Sequence, residues 1–171
     1  MNNLKCSTEF TFVSLKKIMF LSLLIFLVFG CEEEASEPLT SERIKIIVGQ
    51  ETYDDVSNKL TVGQSTSDAF EINNVDIVGD LLQIDISYSG GCETHSFEML
   101  WPENVDQIYP PVIPVILNHN SNNDLCEAFI NEVLQVNLAG NILNYDSKTI
   151  SNIEIIVING SNAINKVSSK D

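Results

Sequence analysis

One short run decides where this chain folds and how much of it is left to fold. Lys16 and Lys17 precede residues 18–29, which are apolar apart from Ser22, and then come Gly30, Cys31 and three glutamates. A basic region, an apolar stretch and a small residue at its end make a secretory signal. The run is shorter than the ~20 apolar residues that a membrane-crossing helix needs. With residues 1–30 removed as a signal peptide, the fold is built from residues 31–171. That is the usual size of one domain with one core, and its compartment is oxidising.

The cysteine placed directly after the small residue adds to this. VFGC, residues 28–31, resembles the lipobox of bacterial lipoproteins. The resemblance implies that Cys31 is lipidated and becomes the mature N-terminus, so that acyl chains hold the protein to the membrane. Residues 32–42 (EEEASEPLTSE) read as an acidic, flexible tether. An acidic run at this place also resembles the export signal that puts some lipoproteins on the outer cell surface. The expected organisation is a signal over 1–30, lipidated Cys31 with a tether to 42, and a single β domain over 43–171. The expected location is the bacterial cell envelope, as a surface-exposed outer-membrane lipoprotein.

Losing the signal sharpens the charge. Residues 1–30 hold three lysines and one glutamate, so the remainder carries −17 where the whole chain carries −15. A domain this acidic repels phosphate backbones and anionic headgroups, which excludes nucleic acid as a partner. Solubility accounts for the charge, as does attraction of cations or basic partners.

From Arg43 onward the pattern is of strands. Ile44, Ile46 and Val48 alternate with Arg43, Lys45 and Ile47, and residues 59–62 suggest a short second strand. Two β-rich runs, 70–78 and 82–88, flank Gly79-Asp80 and read as a hairpin. Residues 97–101 form a short apolar run stopped by Pro102. The run 112–117 contains Pro114 and follows Pro110-Pro111, so it is expected at a sheet edge or as a strand that begins irregularly, because proline cannot donate to a ladder. Ile130, Leu134, Val136 and Leu138 share one face. Leu125, Phe129, Val133 and Val136 also fit a helical spacing, but the alternation downstream favours a strand. Residues 153–158 are nearly all β-branched, as in a central strand. The expectation is an all-β fold, a single antiparallel sandwich or small barrel of seven or eight strands.

Four cysteines divide cleanly. Cys6 leaves with the signal and Cys31 takes the lipid, which leaves Cys92 and Cys126 to form a disulfide. Closing that loop of about 35 residues removes roughly 4 kcal/mol of denatured-state entropy. The same cysteines stand near the chain's two histidines, His95 and His119. Two thiols and two imidazoles suit tetrahedral zinc or a copper site, which is the alternative reading. In a regular strand Cys92 and His95 would face opposite ways, so a shared metal requires Gly90-Gly91 to bend the chain. Asn118, Asn120, Asn122 and Asp124 offer oxygens at alternate positions, but the glycine and glutamate of a calcium loop are missing, and a polar loop is the expectation. The chain has no G-x-S-x-G, no phosphate-binding glycine loop and no H-E-x-x-H.

YSGGCETHSFEML and LNHNSNNDLCEAFINEVLQVNL are similar to paired segments of uncharacterised secreted or lipid-anchored bacterial proteins. The resemblance covers residues 81–138 and carries no established activity. It implies that the two segments work together, with Cys92, His95, His119 and Cys126 at the positions to test first. The sequence therefore points to a lipid-anchored envelope protein, a binding or structural module rather than an enzyme. Its expected partners are the membrane through the lipid and a protein or small-molecule ligand, with no cofactor. A zinc or copper protein using His95 and His119 is the first alternative, and a hydrolase of unknown type the second.

Overall fold

A computed structural model describes residues 43–104 and 109–170; the signal, Cys31 and the tether lie outside the described residues. The described chain is mostly β, with eight strands and two helices. In order they are β1 (Ile44–Val48), α1 (Gln50–Thr61), β2 (Glu71–Val78), β3 (Leu81–Gly90), β4 (Ser96–Trp101), β5 (Val112–Asn120), β6 (Ala128–Asn137), α2 (Ser147–Asn152), β7 (Glu154–Asn159) and β8 (Lys166–Ser168). One sheet runs β1-β4-β5-β7-β8 and the other β2-β3-β6.

The hairpin forms where the turn residues place it. Val78 pairs with Leu81, and Gly79 takes φ +63°, the backbone that a two-residue turn asks of its first position. Strand β6 settles the ambiguity between helix and strand. A helix would have buried Leu125, Phe129 and Val133 together, yet these are 93%, 72% and 48% exposed. Leu134, Val136 and Leu138 go inside instead.

Four expectations need correction. The fold is not wholly antiparallel, because β1 pairs with β4 and β5 with β7 in parallel. Each parallel pair is joined by a long connection carrying other elements, which is what parallel strands require. Neither sheet closes into a barrel, since β1, β8, β2 and β6 each end one. Residues 59–61 belong to helix α1, not to a strand. Tyr53, Val56 and Leu60 follow a helical spacing and pack on Leu100 and Ile116.

Pro114 supplies the fourth correction, because β5 is central rather than an edge strand. The carbonyls of Pro111 and Leu117 accept from Glu154 and Gly160, so the odd residues of β5 aim their backbone at β7. Pro114 therefore aims at β4, whose ladder has already ended at Leu100–Ile116. Its missing N–H removes no bond.

One hydrophobic cluster draws on both sheets: Leu82, Ile84 and Ile86 of β3, Phe97, Met99 and Trp101 of β4, Val115 and Leu117 of β5, and Ile155 and Val157 of β7. Leu100 and Ile116 point the other way, beneath α1. Strands β4 and β5 are thus covered on both faces, which explains their near-continuous apolar sequence. Each fully buried Leu, Ile or Val contributes about 1.5–3 kcal/mol relative to exposure.

Candidate functional site

The loop after β3 and the loop after β5 meet around one carboxylate. Gly91, at φ +116°, begins a bend in which successive N–H groups turn inward. Those of Gly91, Cys92 and Glu93 donate to Asp124 Oδ2 at 2.8, 2.9 and 2.9 Å. The Cys126 N–H donates to Oδ1 at 2.8 Å. Asp124 is thereby the acceptor for both cysteine-bearing segments. The backbone N–H groups of Glu93, Cys126 and Cys92, with help from His95, hold its carboxyl well below the usual carboxylate range.

Two histidines extend this chain into the core. His95 Nε2 lies 3.1 Å from Asp124 Oδ2, and His95 Nδ1 lies 2.8 Å from His119 Nε2. An ionised Asp124 only accepts, so His95 carries its proton on Nε2. Burial, then the charge of His95, pushes His119 below its ordinary value, against smaller opposing effects of Ala69 and Asp68. His119 is a neutral imidazole at neutral pH, and its Nδ1 has no hydrogen-bond partner among the described residues. Both residues are 3% exposed.

Aromatic rings wall the pair. Tyr88 stacks on His95 at 4.6 Å between centroids, and Phe97 stacks on His119 at 4.8 Å. The Tyr88 hydroxyl donates to Glu132 at 2.7 Å. Burial, then that hydrogen bond, raises the phenol above its ordinary value. Gly90 is fixed by contact: a Cβ there would stand 2.5 Å from His95 Cε1 and Nε2.

Cys92 and Cys126 are joined by a disulfide, their Cα atoms 5.9 Å apart. The bend at Gly90-Gly91 puts Cys92 and His95 on the same carboxylate, although they lie three positions apart. The four positions singled out from the sequence thus come together, but not around a common point. The sulfurs are bonded to each other, and the two imidazoles face each other. Cys92, Asp124 and Cys126 also place one ligand-type atom each within 4.8 Å of the others. The asparagines between β5 and β6 build the turn: Asn122 and Asn123 adopt φ 55° and 59°, and Asn120 Oδ1 accepts from the Asn122 N–H.

Sequence reasoning missed Asp124 as the hub. The available signal was its position two residues before Cys126, where a carboxylate reaches the N–H of residue i+2. Tyr88 was read only as a strand residue.

The described chain is thus a mostly β domain with a disulfide-clasped, buried Asp–His–His chain. No protein-family model matches the chain, and no curated protein matches it. Among solved structures it is similar to a Bacteroides vulgatus protein of unknown function, DUF1344, with a TM-score of 0.45 and 11% identity over 73% of this chain and 54% of that one. It is also similar to a NigD-like immunity protein from Bacteroides caccae, with a TM-score of 0.38 and 14% identity over 68% of this chain and 50% of that one. The chain spans about half the length of these structures.

Proposed function

We propose that this protein is a lipid-anchored module of the bacterial envelope that binds or supports rather than catalyses. The burial of the Asp124–His95–His119 chain carries this reading. A catalytic base must come within hydrogen-bond reach of a substrate proton. Here the side chains of Asp124 and His95 are 0% and 2% exposed, and their polar atoms hold two loops together. The two sheets are read as layers of a sandwich because a single core cluster draws side chains from both. Among the described residues no helix is long and apolar enough to cross a membrane, and the anchor is assigned to Cys31.

Fractionation tests the anchor. Cys31→Ser should leave the membrane fraction or stall unprocessed, and membrane partition after normal processing would overturn the lipid assignment. The zinc or copper reading keeps one observation in its favour, the unpartnered Nδ1 of His119. Thiol titration with metal analysis of the purified protein separates the two. No free thiol and no stoichiometric metal supports the module, whereas stoichiometric zinc or copper supports the metal protein.

A further inference from the structure

We propose that the module binds a neutral, polyhydroxylated ligand, an oligosaccharide, in the cleft between the Phe129-bearing face of the three-stranded sheet and the loops at 65–70 and 161–162. This rests on the binding-module reading and names its ligand class. The cleft measures about 540 Å³, inside the ~300–1,000 Å³ of small-molecule sites. Phe129 supplies its one widely exposed ring, at 72%. Register places Ser89 opposite Phe129 and Glu71 opposite Ser87, so strand alternation sets all four on one face.

The polar groups around that ring are unspent. Among the described residues, the hydroxyl of Ser89, the carboxylate of Glu71 and Nδ2 of Asn162 have no hydrogen-bond partner in the protein; only Oδ1 of Asn162 is engaged, accepting from the Ile164 N–H. One group donates, one accepts and one does both, which matches a ligand whose hydroxyls do both. The ring offers a flat apolar surface to the C–H face of a sugar. Among the described residues no lysine or arginine lines the cleft, and the chain's strongly negative charge opposes an anionic ligand.

A second cavity, lined by Thr66, Asp68, Glu98 and Asn118, lacks these properties. Its one ring is the His119 imidazole, with no phenyl or phenol group beside it, and three of its polar side chains are already engaged. Asp68 accepts from Ser121, Glu98 pairs with Lys45, and Asn118 accepts from Thr66.

The walls of the first cleft are also held in advance. Phe70 and Tyr88 line it. Tyr88 is clamped by Glu132 and His95, and Phe70 packs edge-on against Phe97 and His119. The buried histidine chain thus stiffens one side of the cleft, which lowers the ordering cost of binding.

Saturation-transfer NMR on the full-length protein in a sugar-free detergent tests this, with lactose, cellobiose and diacetylchitobiose as probes. At least one should receive saturation, strongest on the C–H protons of one ring face. Phe129→Ala should weaken that binding about tenfold with an unchanged melting temperature, and Asn162→Ala should weaken it less. No transfer to any of the three overturns the proposal, as does equal binding by Phe129→Ala. Transfer to a lysine ester but to no disaccharide overturns it in favour of a cationic ligand. A disaccharide left intact and unbound sinks the carbohydrate assignment alone, whereas a disaccharide consumed by the protein sinks the non-enzymatic reading.

Discussion

Two buried polar constellations tie this molecule together, and they do so by different chemistry. Between β2 and β7–β8 the ties are amides. Asn165 accepts from the Ile72 N–H at 2.9 Å and donates to the Ile72 carbonyl at 3.1 Å, standing in for a strand neighbour. Asn159, 0% exposed, donates to the Phe70 carbonyl and to Asn165, and accepts from the N–H and hydroxyl of Ser161. Each amide is engaged through both its oxygen and its nitrogen, and neither carries charge. At the cysteine end the tie is a carboxylate and two imidazoles, one nitrogen lacks a partner, and a covalent bond spans the same two loops. The neutral amide clip thus stands without a covalent bond, while the titratable one is accompanied by a staple.

The largest expected effect breaks the stapled side. Replacing Cys92 and Cys126 with alanine should cost about 2–5 kcal/mol in denaturant unfolding. A loss below about 1 kcal/mol would mean that the histidine chain holds the loops by itself. Next comes the amide side: Asn165→Ala leaves the N–H and carbonyl of Ile72 unpaired and should cost about 1–3 kcal/mol. An unchanged midpoint would show that water replaces the amide freely.

The smallest effect separates the two constellations by pH. The native His119 value lies below the ordinary 6.5, so the unfolded chain binds the proton more readily. Stability is therefore full above pH 6.5 and declines as pH falls below it. His119→Phe should flatten that decline, and Asn165→Ala should leave its shape unchanged. A separate loss should begin below about pH 4, because the Asp124 value is depressed from an ordinary 3.8 and its contribution disappears as the carboxylate protonates. A wild-type curve flat from pH 7 to 5 would refute the His119 assignment.

Much of the fold was legible wherever one local signal decided it. Gly79-Asp80 dictated a turn, and the buried positions of β6 kept a period of two. The rest depended on partners far along the chain. Pro114 argued for an edge until the early end of the β4 ladder removed the need for its N–H. Helix α1 was hidden because only Tyr53, Val56 and Leu60 of its twelve residues carry the apolar stripe. The sequence brought Cys92, Cys126, His95 and His119 into one discussion, but Asp124 was masked by the abundance of other carboxylates. Its role comes from the curvature of residues 91–93, which composition does not encode.

The parallel pairing has a consequence for how the chain comes together in time. A polypeptide released N-terminus first, from ribosome or translocon, can close the β2–β3 hairpin as soon as residue 90 is free, since that contact is local. The larger sheet must wait. Strand β1 finds its neighbour only when residues 96–101 emerge, and β5 lacks one side until residues 154–159 arrive. Until then the apolar edge of β5 is exposed to other chains. The assembly is vulnerable at its middle strand between the release of β5 and that of β7, so slowing release between residues 120 and 154 should favour aggregation over folding.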